Sequence, residues 1–212
     1  MRKLINPTIG CKKKNQFKYL TYKKKPKNEV DFGLLKGRYL RFYYKCNLCG
    51  HLVARHKKEL FDQLYDKIYF ESTYKSKKQL SKTFTKISKL PKSKSDNFHR
   101  VKRIKKMIKI LFKKQKISIL DIGSGTGIFP IKIMSKMYDV TSIEPSKACT
   151  DFIKKKSNLK IKVFNSDFLK IKINKLKKYN LITFNKVLEH VEQPLIFLKK
   201  SLKLLKKDNL IY

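Results

Sequence analysis

One stretch constrains this chain more than any other: Ile119-Leu120-Asp121-Ile122-Gly123-Ser124-Gly125-Thr126-Gly127. An apolar run ends in an acid and breaks into alternating glycines, the pattern of a buried strand, a tight turn and the start of a helix. The third glycine falls one position too early for the Gly-x-Gly-x-x-Gly turn that cradles a dinucleotide pyrophosphate. Downstream, strand and helix patterns alternate. Residues 117–122, 140–143, 160–164 and 181–184 read as strands, 128–137, 148–155 and 194–205 as helices, and 209–212 as the start of a fifth strand. Apolar strands alternating with helices predict an α/β domain with a parallel sheet covered on both faces.

Upstream, Val101, Ile104, Ile108 and Leu111 recur at helical spacing, predicting an amphipathic helix over 98–114. Residues 89–97 read as a polar linker, and Leu60, Phe61, Leu64, Tyr65 and Ile68 carry helix-like spacing within 58–90. The first segment holds an aromatic strand over 38–44 followed by Cys46-Asn47-Leu48-Cys49-Gly50. The organisation expected is a cysteine-bearing module over 1–57, a helical linker region over 58–97 and the α/β domain over 98–212. The formal net charge of +39 admits a nucleic-acid or anionic-surface partner. Lysine outnumbers arginine throughout, alongside many Ile, Asn, Phe and Tyr, so base composition explains most of the excess. No apolar run reaches the ~20 residues of a membrane span, and the N-terminus lacks a signal-peptide core. A cytoplasmic location is expected.

Acids end two further strands, at Glu144 and at Asp167 with Phe168 beside it. Asn185 and the Glu189-His190 pair follow the fourth strand, at the sheet end where open α/β folds bind ligands. A strand-end carboxylate can accept from both hydroxyls of a ribose, and an imidazole titrates near neutral pH. Each acid could equally cap a helix, and His190 could serve only to orient its loop. Cys46-x-x-Cys49-Gly50 reads as a zinc knuckle, with Cys11 as third ligand and His51 or His56 as fourth. The alternative is a pair of cytosolic thiols without metal.

These motifs resemble those of class I S-adenosylmethionine (SAM)-dependent methyltransferases. Asp121-x-Gly123-x-Gly125-x-Gly127 is similar to their first motif, and the Val187-Leu188-Glu189-His190-Val191 stretch to the segment after their fourth strand. The resemblance implies a Rossmann-like sheet in the order 3-2-1-4-5. It implies a SAM site built from Asp121, Gly123, Ser124, Gly125, Gly127, Glu144, Asp167, Phe168 and Asn185. Asp121 would meet the methionyl ammonium, Glu144 the ribose hydroxyls and Asp167 the adenine amine, with Glu189 and His190 as catalytic candidates. The cysteine element ahead of motif I is similar to that of bacterial sugar C-methyltransferases and surface-polysaccharide enzymes, which implies a small-molecule or carbohydrate-type acceptor and zinc held by Cys11, Cys46, Cys49 and His51. The rivals are an RNA methyltransferase and a non-catalytic SAM-fold protein. Because the family's later strands have no counterpart here, a truncated and inactive form, ending in a short or frayed fifth strand, is also expected.

Overall fold

The computed structural model describes residues 15–27, 39–56, 76–112, 116–191 and 193–212. The chain divides into two compact units, Met1–Thr73 with Glu192–Leu195, and Tyr74–Val191 with Ile196–Tyr212. In the first unit, β1 (Gln16–Tyr22), β2 (Arg41–Cys46) and β3 (Leu52–His56) form an antiparallel sheet in that order. β2 and β3 are joined through a tight turn. The Cys46 amide donates to His51 O, the Gly50 amide donates to Cys46 O, and Gly50 adopts φ +72, which glycine supplies without steric cost. The helix-like run over 60–68 and Cys11 lie outside the described residues.

The second unit opens with α1 (Lys77–Ser88) and α2 (Asp96–Leu111). Ser95 accepts from the Phe98 amide at 3.2 Å and so caps α2, which therefore begins inside the stretch expected to be linker and stops short of residue 114. A five-stranded sheet follows: β4 (Ile117–Ile122), β5 (Tyr138–Glu144), β6 (Lys162–Asn165), β7 (Tyr179–Phe184) and β8 (Leu205–Ile211). Every neighbouring pair is parallel, and the spatial order is β6-β5-β4-β7-β8. Counted from the first strand of this sheet, the order is 3-2-1-4-5. All six residues of β4 and all six of β7 are buried, and each fully buried Ile or Leu contributes about 1.5–3 kcal/mol.

Helices cover both faces. α2, α3 (Ile128–Ile133) and α4 (Lys147–Lys156) pack Ile104, Ile108, Phe129, Ile133 and Ile153 against Ile117, Ile119, Val140 and Leu181. On the other face, α5 (Pro194–Leu204) and the segment after β6 pack Leu204, Phe197, Phe168 and Ile171 against Leu120, Ile122, Ile143 and Ile182.

Two further expected boundaries need correction. α3 ends at Ile133 instead of reaching 137, because Met134 turns extended and Ser135 bridges to Tyr138 to start β5. β8 begins at Leu205, directly after α5, and runs for seven residues with a register shift against β7. Its exposed Lys206, Lys207 and Asp208 hid that beginning from the apolar pattern. Tyr212 extends the ladder, its amide donating to Ile182 O and its carbonyl accepting from the Phe184 amide, so the strand is neither short nor frayed. No helix among the described residues is long and apolar enough to cross a membrane.

Candidate functional site

The glycine turn sits at the carboxyl end of β4, and packing dictates two of its glycines. At Gly123 (φ +69) a Cβ would stand 2.6 Å from Val187 Cγ2. At Gly127 (φ +74), the residue preceding α3, it would stand 2.4 Å from Ile153 Cγ1 of α4. Gly127 thus serves the packing of the start of α3 against the body of α4. Gly123 brings the turn after β7 directly against the glycine turn.

The turn's amides are directed back into the protein. Those of Gly123 and Ser124 donate to Ile143 O, that of Gly125 donates to Glu144 Oε2 at 2.8 Å, and that of Gly127 donates to Ser124 O. Anion-binding turns instead present their N–H groups to the ligand. The Ser124 hydroxyl is likewise turned inward, accepting from Ser142 Oγ at 2.6 Å and donating to Asp121 O. This is not a phosphate cradle.

Unpartnered acceptors lie beside it. Asp121 is 1% exposed. Its Oδ1 accepts from Thr183 Oγ1 at 2.7 Å and from Asn185 Nδ2 at 2.8 Å. Its Oδ2 and the Asn185 Oδ1 are both buried without a hydrogen-bond partner. Burial holds the Asp121 carboxyl above its ordinary range, against the lowering effect of its hydrogen bonds and of Arg100. Glu144, buried at the end of β5, accepts from the Gly125 amide and, at 3.0 Å, from the Ser146 amide. Its carboxyl is also raised by burial, held down by those two amides and pushed up slightly by Asp121. Two buried carboxylates and an orphaned amide oxygen make a site for a ligand rich in N–H and O–H donors, and favour a cation.

The third strand-end acid is differently placed. Asp167 Oδ1 accepts from the Leu169 amide at 2.6 Å and so caps its own turn. Phe168 is a core residue, its ring 5.6 Å from that of Phe197 and 6.2 Å from that of Phe184. Composition hid one residue here entirely. Lys200 of α5 donates to the carbonyls of Phe168 (2.6 Å), Leu169 (2.9 Å) and Ile171, and its Nζ lies 5.1 Å from the centre of the Phe168 ring. In so lysine-rich a sequence nothing distinguishes Lys200. Thr183 left a weak trace, as a polar residue inside an apolar strand. Glu189 and His190 are exposed on the turn after β7, where the His190 amide donates to Val187 O. Cys149 is buried, and burial pushes its thiol up to about 12, as suits a core residue.

A family model described as a methyltransferase domain matches residues 93–212, more than half of the chain. The chain belongs to this methyltransferase domain family. Ubiquinone biosynthesis O-methyltransferase from Pelagibacter ubique (strain HTCC1062) is 36% identical over 101 residues, spanning 45% of this chain and 40% of that protein. The plantazolicin methyltransferase BpumL, solved with a triazolic desmethylPZN analogue and SAH (S-adenosylhomocysteine), shares the fold at a TM-score of 0.52 and 24% identity, over 63% of this chain and 50% of its own. A second structure of that enzyme with SAH gives a TM-score of 0.50. The methyltransferase chain described here thus spans between 40% and 51% of the length of these proteins.

The expected zinc set gains no such support. Cys46 is buried while Cys49 and His51 are exposed. No group of three or more His, Cys, Asp or Glu that could hold a metal occurs among the described residues. Cys11, the third member of the expected set, lies outside the described residues.

Proposed function

We propose that this chain binds SAM across the carboxyl ends of β4, β5 and β6 and directs its methyl group to an oxygen of a small-molecule or carbohydrate-type acceptor. The observation that carries this reading is the pair of orphaned acceptors, Asp121 Oδ2 and Asn185 Oδ1. The methionyl ammonium of SAM has the donors and the charge they lack. Glu144 retains lone pairs for the ribose hydroxyls beyond its two amide bonds, since a carboxylate offers about four acceptor positions. Asp167, half-buried on its capped turn, is the acceptor for the adenine amine. The inward-turned amides of the glycine turn support the same reading, because SAM carries no phosphate to engage them.

Bound SAM supplies an electrophilic methyl on a sulfonium, already a good leaving group. The protein's part is alignment and exclusion of water. His190 lies on the turn whose Val187 packs on Gly123, so its imidazole is at the right sheet end to take the proton from an acceptor hydroxyl as the new C–O bond forms. Oxygen as the methylated atom follows the name of the Pelagibacter relative.

Calorimetry with SAH tests the cofactor, and transfer of labelled methyl from SAM to a panel of phenolic and sugar hydroxyls tests the chemistry. His190→Gln should leave SAH affinity within about twofold and lower kcat about 100-fold or more, the usual contribution of a general base. A native chain that does not bind SAH would end this proposal.

A further inference from the structure

The antiparallel sheet of the first unit has two unlike faces. Cross-strand pairing puts Tyr22 with Arg41, Leu20 with Tyr43, and Phe17 and Leu52 with Lys45, and directly paired residues share a face. Tyr19 lies in the register shift between Lys18 and Leu20, its ring 6.4 Å from Phe17 and 5.2 Å from Lys45 Nζ. Tyr22 and Tyr43 meet edge to face at 5.8 Å. Phe17, Tyr19, Leu20 and Tyr22 are each 42–48% exposed. The opposite face carries Cys46 and Val53, both buried, with Lys18 over the Phe42 ring and Arg55 over the Tyr44 ring.

Across residues 15–27 and 39–56 there are eight Lys or Arg and no Asp or Glu. A lysine-rich composition raises charge everywhere, but it does not gather half-exposed rings onto one face of one sheet. We infer that this face, built from Phe17, Tyr19, Tyr22 and Tyr43 beside Arg41 and Lys45, is a platform for single-stranded nucleic acid. Unpaired bases stack on aromatic rings while Lys and Arg track the phosphates. Bases in a duplex are already stacked on each other, so the rings select the single strand. β1 is seven residues long, about 20 Å, the scale on which a small sheet takes up roughly four nucleotides. The inference concerns the first unit and stands independently of SAM binding by the second.

The chain contains no tryptophan, so its intrinsic fluorescence comes from tyrosine and reports stacking directly. Titration of the full chain with a uridine dodecamer should quench that emission, whereas a heparin hexasaccharide, of about matched charge, should bind without quenching it. Labelled-dodecamer anisotropy should then weaken about 25-fold or more in a Phe17→Val, Tyr19→Val, Tyr22→Val chain, with heparin affinity changed less than about twofold. Valine keeps strand propensity. Tyr22→Val alone, expected to cost about fivefold, serves if the triple change unfolds the sheet. Equal losses for dodecamer and heparin, absence of quenching, or a response confined to phosphatidylserine vesicles would each overturn the platform.

Discussion

Strands β4 and β7 bury polar side chains at both of their ends, and the two ends treat them oppositely. At the amino end, Asn180 Oδ1 accepts from the Ser118 amide at 3.0 Å, Ser118 Oγ at 2.9 Å and Lys206 Nζ at 3.1 Å. Its Nδ2 donates to Asn209 Oδ1 at 3.0 Å. At the carboxyl end, Asp121 and Asn185 bond each other and leave two buried oxygens without donors. The depth is similar, with Asn180 6% and Asp121 1% exposed. An unsatisfied buried polar group costs about 1–3 kcal/mol, and more when charged. The amino end is therefore a closed joint that ties β4, β7 and β8 together. The carboxyl end is held at a cost, which the proposed binding of a donor-rich ligand would offset. Burial alone does not separate structure from function in this sheet; the completeness of the hydrogen bonding does.

The sharpest way to break that contrast is to change one residue at each end. Asp121→Asn keeps the shape, removes the buried charge and puts a donor where an acceptor stood. SAH affinity should fall about 100-fold, from loss of charge-assisted bonds worth about 1.5–3 kcal/mol each. Ligand-free stability should hold or rise, since an uncompensated buried charge is gone. Asn180→Leu should do the reverse, lowering unfolding free energy by about 2–4 kcal/mol as Ser118 and Lys206 lose their acceptor, with SAH affinity of the folded protein unchanged. Denaturant titration and calorimetry on both variants decide it. A large affinity loss in Asn180→Leu, or instability in Asp121→Asn, would mean the two ends are not distinct.

A second test addresses what keeps the carboxyl end in place. Gly123→Ala puts a methyl 2.6 Å from Val187 Cγ2 at a residue with φ +69. The left-handed backbone costs about 1–2 kcal/mol, and the contact adds to it, so a loss of about 2–3 kcal/mol in unfolding free energy is expected. Val187→Ala in the same chain should recover the steric share and leave the backbone share. Full recovery, or none, would mean the contact and the backbone conformation were apportioned wrongly.

The fold was largely legible in the sequence, and the site about half so. Residues 117–122 read as a strand because six buried positions leave no polar interruption except at Ser118 and Asp121. Only the end of β8 was legible, over 209–212; its beginning escaped because three of its seven residues are charged and exposed, so neither strand alternation nor a buried run appears there. Asp121 and Glu144 were visible as acids ending strands. That Glu144 engages the glycine turn's own amide, and that Gly127 serves helix packing, depends on contacts between segments distant in sequence, which no local pattern encodes. Roles for Phe168 and Ser124 came from resemblance, and the structure puts both side chains inside the protein.

Titration gives a smaller effect with a diagnostic sign. A carboxyl whose folded pKa is raised binds its proton more tightly in the folded state. The ionised form therefore costs stability at neutral pH, and that cost fades as pH falls through the raised folded value toward the unfolded one. Asp121 and Glu144 should make the ligand-free protein more stable on mild acidification, and Asp121→Asn should remove the Asp121 share. Asp151, lowered by its bond to Lys147, has the opposite sign and loses its contribution only at lower pH. Affinity for cationic SAM should fall over the window in which ligand-free stability rises, because protonation of Asp121 removes the charge that attracts it. Denaturant midpoints and SAM affinities measured across the same pH series test this. Parallel trends would sink the assignment of Asp121 as the cation's partner.

The smallest expected effect tests whether a residue that touches no ligand still shapes the site. Lys200 gathers three carbonyls of the turn that carries Asp167. Burial lowers its pKa and the charge of Asp167 raises it. Lys200→Met keeps most of the side-chain volume but leaves those carbonyls without their donor, so the turn should lose its fixed aim while the core beneath it stays packed. SAH affinity should fall only about three- to tenfold, the scale of one hydrogen bond net of solvent. The telling readout is discrimination: S-inosylhomocysteine, with a carbonyl in place of the adenine amine, should bind the native chain less tightly than SAH, and the gap should narrow in Lys200→Met. Lys200→Ala should regain part of its SAH affinity in ammonium buffer, because the three carbonyls can take up that ion, but not in tetramethylammonium, which has no donors. A loss shared equally by both ligands and indifferent to ammonium would make Lys200 a packing residue and leave the orientation of Asp167 to its own turn.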